Sequence, residues 1–580
     1  MPVSAPARWW QLVLGGLAYG FITFIALPPV GLWPLALAAI VPLAWAGCRM
    51  GRRRFWGSLC VGLGTFPFWF AEHWWMREVT APGFPVLAAY LSLYSALFAW
   101  MIATVRATDW PIPMSLAVPV AWTGIEVLRG EIVFTGYAWF LAAHPLIDSP
   151  ALSAPAAVLG TYFVSFLCAA LAGAVVDAAG WSGLPRRVGG IGAVAWVFVW
   201  GVSSWLGARV RGPEPAMDLR VAVVQTNLTQ SNKISWPILS RFNDLQNFLD
   251  ITRQAASVQP RPDVIVWPET MFPGPALNPG AVQQFRDGGV FYRIAQDGTP
   301  SDGRLPAAKF HDDLVRMQSE LGPPLLVGSI TIEGDLLSDM AEKSQARHSS
   351  KFNSAVLVHR GQVREDRYDK VELMAFGEFI PYVWRWPWLQ QRVLDLGAEG
   401  MAFDLTAGTK ERGLDLPLGT DRPVKFVRIA TPICFEVTRA DLCRRLVAGD
   451  GTGRAVAIIT LSNDGWFGTW DAGRWQHLLA ARWRCVELGV PMVRAVNTGV
   501  STAIDRRGQI TSDQLVGRSG DSARVEGVLP AIIRVGLTSE SPVTLYERVG
   551  NVPAYIVLGA TVAGIPVFWI RRRRLARSGG

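Results

Sequence analysis

The sequence predicts two structural classes in one chain: a polytopic α-helical membrane domain and a large α/β domain outside it. Three observations carry this. Half of the 580 residues are hydrophobic and only 17% are charged, a balance too apolar for a wholly soluble protein of this length. About seven apolar stretches follow one another between Gln11 and Leu206. From Leu219 onward the pattern changes to short β-type runs, separated by polar, Gly- and Pro-rich segments and by stretches of helical periodicity.

The apolar cores lie at about Leu12 to Leu27, Leu32 to Gly47, Phe55 to Phe70, Val86 to Val105, Met114 to Val127, Ala157 to Val176 and Val188 to Leu206. Several approach the roughly 20 residues that a spanning helix needs. A soluble domain does not string so many together without polar faces. No small-residue cleavage pattern follows the first core, so it reads as a retained helix rather than a secretory signal. Trp45-Ala46-Gly47-Cys48 has the outline of a lipoprotein cleavage box, but Trp stands at the usual aliphatic position and a whole span precedes it.

Lys and Arg gather in short cytoplasmic loops. If every core spans, then Arg8, the group Arg49, Arg52, Arg53 and Arg54, Arg106, and the pair Arg186 and Arg187 all fall on one side. The opposite loops, such as Pro28 to Gly31 and Glu131 to Pro150, are poor in basic residues. The amino terminus is therefore expected inside, with the chain emerging outside near Arg209. A last apolar segment, Ala554 to Ile570, stops at Arg571-Arg572-Arg573-Arg574, inside again. The expected division is a membrane domain at 1–210, an extracytoplasmic catalytic domain at 218–548, and a spanning helix with a basic tail at 552–580.

The formal charge of +9 resides beside apolar runs rather than along a basic stripe, which argues against nucleic acid as a partner. Cys48, Cys60, Cys168, Cys434, Cys443 and Cys485 form no CxxC pair and no framework spacing. The six histidines never pair at i, i+4 or within a Cys/His cluster, so no metal site is expected.

The outer domain has β-type runs at Leu219 to Gln225, Asp263 to Trp267, Leu325 to Ile332, Ala355 to Val358, Val424 to Thr431 and Ala455 to Leu461, with helical stretches at Leu239 to Ala256 and Trp475 to Leu488. Asn278 to Pro306, rich in Gly, Asp and Pro, reads as an exposed loop or insertion. Three sites stand at strand ends: Glu269 in Val264-Ile265-Val266-Trp267-Pro268-Glu269-Thr270; Lys370 and Glu378 around the apolar turn Val371 to Gly377; and Cys434 in Thr431-Pro432-Ile433-Cys434-Phe435-Glu436. Taken singly, each has a bland reading: a surface turn carboxylate, a solvated Lys and Glu, an inert buried thiol. Together they meet the needs of a thiol nucleophile. Glu269 supplies a proton acceptor, and a positive charge lowers the thiol pKa. Lys370 supplies that charge, and the backbone N–H of Phe435 can add a donor to the oxyanion formed on attack.

At these residues the chain resembles the nitrilase superfamily, whose Glu-Lys-Cys triad lies in motifs like WPET, K…FGE and C[YF]E. With its membrane half, it resembles apolipoprotein N-acyltransferases over nearly the whole chain. Glu126-Val127-Leu128-Arg129-Gly130 followed by Thr135-Gly136-Tyr137-Ala138-Trp139 carries that likeness, as do Val224 to Asn227, Phe352 to Ala355, Ser462 to Gly468 and Arg494 to Gly499. The resemblance implies a nitrilase-like four-layer αββα sandwich. It makes Glu269 the general base, Lys370 the oxyanion stabiliser and Cys434 the nucleophile, with Glu378 and Glu436 orienting them. It further implies a ping-pong reaction through a thioester on Cys434, from a phospholipid acyl donor to the α-amine of the diacylglyceryl-cysteine of an apolipoprotein. No cofactor is implied, and a monomer in the bacterial inner membrane with its catalytic domain on the periplasmic side is expected. Met374-Ala375 in place of Val-Pro, and Phe435 in place of Tyr, depart from the family's pattern. The competing readings are a membrane-tethered amidase in which water resolves the thioester, a catalytically inactive lipid-binding scaffold, and a transporter. Retention of all three triad residues argues against the scaffold, and the few intramembrane charges argue against the transporter.

Overall fold

The computed structural model describes all residues except 1–5, 109, 211, 213–216, 230–235, 297–298, 342–348, 376, 380–404, 452, 514, 516–521, 538–541 and 579–580. Phe376 and Ile380 of the Lys370 motif thus lie outside the described residues.

All seven apolar cores of the first half lie in helical structure: α1 (Trp9–Ala26), a broken helical segment ending in α2 (Val41–Cys48), α3 (Arg54–Glu72), α4 (Gly83–Arg106), α5 (Met114–Val127), α6 (Thr161–Ala178) and α7 (Arg186–Val210). Among the described residues, α1, α4, α6, α7 and the carboxy-terminal helix from Val552 are long and apolar enough to cross a bilayer. The Leu32 to Gly47 core is interrupted between Ala39 and Val41, and α5 has only 14 residues before the chain opens into a π-turn at Leu128–Ile132. Small residues let the helices approach closely. A Cβ on Gly64 of α3 would lie 2.2 Å from the Val13 carbonyl oxygen of α1, so only glycine allows that crossing. α7 leaves Ile191, Val194, Val197 and Phe198 exposed along an apolar face.

The second half of the chain packs two sheets face to face. The strands are β1 (Met217–Gln225), β2 (Val264–Val266), β5 (Leu325–Gly334), β6 (Ser349–His359), β7 (Gln362–Asp369), β8 (Leu414–Pro417), β9 (Phe426–Ala430), β10 (Ala457–Ser462), β11 (Met492–Val496), β12 (Thr502–Ile504) and β13 (Gly527–Val535). One sheet has strand order β13-β1-β2-β5-β6-β7 and the other β12-β11-β10-β9-β8. Side chains alternate across a strand. Val221 and Val223 of β1 therefore join Val427 and Ile429 of β9 between the sheets. Their neighbours Ala222 and Val224 face the other way, onto α8 (Ile238–Ser257) and α10 (Lys309–Leu321), through Leu245, Phe248, Phe310 and Leu314. The second sheet is covered by α11 (Ala440–Ala448) and α12 (Ala472–Leu488), through Leu442, Leu446, Leu478 and Ala481. The result is a four-layer αββα sandwich.

Asn278 to Pro306 is not the exposed loop expected. It forms α9 (Pro279–Asp287) and a hairpin, β3 (Phe291–Gln296) with β4 (Thr299–Pro306). Its polar composition hides an amphipathic spacing: Ala281 and Phe285, one helical turn apart, are buried with Ile332 and Leu336. The chain ends in α13 (Leu545–Val549) and α14 (Val552–Ser578). α14 returns to the membrane half and packs on α5, where the Thr561 hydroxyl donates to the Val120 carbonyl at 2.8 Å.

Candidate active site

Cys434 follows β9 in an elbow. Its backbone sits at φ +52°, a left-handed conformation rare outside glycine, and opens a single helical turn, Cys434–Thr438. Glu436 holds that turn: its Oε2 accepts the Ile433 N–H at 2.7 Å. The other oxygen reaches across to the segment after β7, accepting from the Tyr368 hydroxyl (2.9 Å) and from the N–H groups of Val371 (2.7 Å) and Glu372 (2.9 Å). Phe435 is buried within the elbow.

Glu269 stands two residues beyond Trp267 at the end of β2, and its path depends on Gly328 of β5. A Cβ there would come within 2.1 Å of the Pro268 carbonyl oxygen and 2.7 Å of the Glu269 Cα. The carboxylate is buried and accepts from Asn353 Nδ2 (2.7 Å) and from the Asn463 N–H (2.9 Å). Lys370, at the end of β7 and only 1% exposed, points its Nζ to Glu378 Oε1 at 2.8 Å and to Glu269 Oε1 at 3.6 Å. Glu378 also accepts the Met374 N–H at 2.7 Å. Strand ends from both sheets thus bring buried Glu269, Lys370 and Glu436 together with the half-buried Glu378 and Cys434.

The electrostatics correct one expectation. Burial would strip the proton from Lys370, but Glu378 and Glu269 outweigh it and keep the ammonium firmly charged. The thiol of Cys434 is not lowered: burial first and Glu269 second push it up, with Lys370 opposing them. A thiol raised in this way depends on a proton acceptor nearby to become a nucleophile.

Sequence reasoning assigned no roles to the groups that support this cluster. His477 of α12 places Nε2 at 3.1 Å from the Cys434 carbonyl oxygen and Nδ1 at 3.0 Å from Asp464 Oδ1. Each ring nitrogen thus faces an oxygen, one on the elbow and one on Asp464. Asp464 also takes the Ser462 hydroxyl (2.7 Å) and Arg494 Nη2 (3.1 Å). Although burial opposes it, His477 and Arg494 hold this carboxyl well below the usual range. Trp139, from the membrane half, stacks on His477 with centroids 6.0 Å apart and 14° between planes. Asn353, Asn463, Asp464 and Arg494 lie in segments that carry the family likeness, whereas the pairing of His477 with a carbonyl 43 residues away has no signature in sequence.

Comparison with known proteins shows what the chain is similar to. Residues 19–174 match the family model described as the apolipoprotein N-acyltransferase N-terminal domain, and residues 220–520, over half the chain, match the carbon-nitrogen hydrolase model. An apolipoprotein N-acyltransferase of Vibrio vulnificus is 26% identical, covering 96% of both chains. One from Bradyrhizobium diazoefficiens is 26% identical over 98% of this chain and 96% of its own. Among solved structures, Saccharomyces cerevisiae Nit3, of the nitrilase superfamily, is similar at 18% identity and a TM-score of 0.32, covering 58% of this chain and 96% of its own. The chain belongs to the carbon-nitrogen hydrolase family, in the apolipoprotein N-acyltransferase branch that joins this domain to a membrane half.

Proposed function

We propose that the protein transfers an acyl chain from a phospholipid to the amino-terminal S-diacylglyceryl-cysteine of lipoproteins, through a thioester on Cys434. The observation that carries this reading is the meeting, at strand ends, of buried Glu269 and Lys370, 3.6 Å apart, with the Cys434 elbow, in a chain whose other half holds helices long and apolar enough to cross a bilayer. In the first step Glu269 takes the thiol proton as sulfur attacks the ester carbonyl carbon. The tetrahedral oxyanion is met by Lys370 and the Phe435 N–H. Collapse breaks the ester C–O bond, and the alkoxide leaves as lysophospholipid with the proton from Glu269. In the second step the α-amine attacks the thioester, the amide forms, and the thiolate leaves and regains the amine's proton by way of Glu269. Glu378 holds Lys370, and Glu436 ties the elbow to the Lys370 segment. Burial of the cluster protects the thioester from water.

The catalytic domain occupies the extracytoplasmic side of the bacterial inner membrane in this reading, because the basic loops alternate with apolar spans. Both substrates are lipid-anchored, so holding the domain at the bilayer raises their effective concentration. The protein acts as a monomer without a cofactor.

Purified protein is to be incubated with phospholipid and a diacylated lipopeptide, and the lipopeptide weighed by mass spectrometry. Gain of one acyl chain, lost in Cys434→Ala, is expected. Release of free fatty acid or ammonia with no gain by the lipopeptide would overturn the reading in favour of a tethered amidase.

A further inference from the structure

We propose that Arg439 is a positioning residue through which the membrane half fixes the segment that carries Lys370; the proposal rests on the acyl-transfer reading above. Arg439 lies five residues beyond Cys434, between the elbow turn and α11. Its guanidinium divides its nitrogens between two parts of the molecule. Nε meets Glu372 Oε2 at 2.7 Å, two residues past Lys370. Nη1 donates to the Gly130 carbonyl at 2.8 Å, and Nη2 lies 3.4 Å from Glu131 Oε2. Gly130 and Glu131 belong to the π-turn that follows α5, and Glu131 is itself held by the Tyr162 hydroxyl of α6 at 2.8 Å.

The cluster is enclosed. Side-chain exposure is 13% at Arg439 and 2% at Glu131, so neither charge is screened as a surface pair would be. The membrane-half turn also closes over the guanidinium: at Gly136, φ +98°, a Cβ would lie 2.2 Å from Arg439 Nη1. On the other side, the backbone N–H of Glu372 is one of the donors to Glu436. The Lys370 segment is therefore clasped twice, by Glu436 from the elbow and by Arg439 from just beyond it. Only the Arg439 clasp extends into the membrane half. Without Arg439, the Glu372 carboxylate keeps a longer contact to Arg445, at 3.7 Å.

Arg439 touches no reacting atom, so its effect runs through the placement of Lys370. A role confined to joining the two halves would change stability or lipid handling and leave the chemistry of a folded protein alone. The test uses the full chain in detergent with a small water-soluble p-nitrophenyl ester as acyl donor, which needs no bilayer. Single-turnover acylation of Cys434 is followed across pH, with melting temperature measured beside it. Glu131→Gln keeps the size of the side chain and its bond to Tyr162 but removes the charge facing Arg439. It and Arg439→Gln are expected to acylate roughly 10- to 100-fold more slowly at unchanged half-saturation. Glu131→Gln combined with Glu372→Gln should be no slower than the worse single variant, since both act through one clasp. Should Arg439→Gln fail to fold, the two carboxamide variants carry the test. Wild-type acylation rates in folded Glu131→Gln and Glu372→Gln, or a change confined to half-saturation, overturn the proposal. Cys434→Ala separates the two levels: if it is still acylated, the acyl-transfer reading fails, whereas loss of acylation there with wild-type rates in the clasp variants removes only the role of Arg439.

Discussion

Glu436 accepts the backbone N–H of Val371 at 2.7 Å, so the residue two places after the nucleophile grips the residue immediately after Lys370. With Ile433, Glu372 and Tyr368 it gathers four donors on one buried carboxylate. Glu436→Gln turns one acceptor into an NH2 group and leaves at least one buried donor unmatched, at about 1–3 kcal/mol. Acylation of Cys434 is expected to fall by about 10- to 100-fold, read by mass spectrometry of the acyl-enzyme.

The same carboxyl sets a pH dependence. Burial pushes Glu436 up to about 7 from its ordinary 4.5. Its contribution to stability is therefore complete below about pH 4.5 and is lost as pH rises through 7. The donors around it need the carboxylate, so activity moves the opposite way and falls as pH drops through 7. Acylation rate and melting temperature measured between about pH 5 and 8 should diverge in the wild type, and the divergence should vanish in Glu436→Gln.

At Gly328 the geometry allows no Cβ without displacing Glu269. Gly328→Ala should lose more than about 100-fold in acylation, the size expected when a reacting group moves by an ångström. A near-normal rate, with the protein folded by circular dichroism, would show that Glu269 tolerates displacement.

His477 places its Nε2 3.1 Å from the Cys434 carbonyl oxygen, beside an elbow at positive φ. His477→Ala is expected to slow acylation by roughly 10-fold or more and to lower the melting temperature, because Asp464 loses its principal partner. Trp139→Leu should reproduce part of the rate loss by removing the stacked face. Unchanged kinetics in both variants would remove His477 from the supporting set.

Topology is tested by reporter fusions. An alkaline phosphatase fused at Gly334 should be active and one at Arg52 inactive; the reverse pattern overturns the orientation.

Much of the site was legible because its principal groups sit where strands stop, and strand ends are marked locally by apolar runs broken by Pro or Gly. Trp267-Pro268-Glu269 and Thr431-Pro432-Ile433-Cys434 are cases where local punctuation and chemistry coincide. The supporting contacts were not legible because they join side chains to backbone groups far away in sequence. Asn463 serves Glu269 through its N–H, which every residue but proline possesses. Arg439 answers Gly130 through a carbonyl, 309 residues apart. The helix at Pro279–Asp287 was hidden for another reason: nine residues hold too few apolar positions to stand out against flanking glycines and prolines.

The bond from Thr561 to Val120 joins points 441 residues apart. During synthesis, α5 waits for nearly the whole protein to be made before its partner exists. The whole sandwich is accordingly synthesised while one flank of the helical bundle still lacks its partner, and the last helix closes the assembly only after everything between has been made.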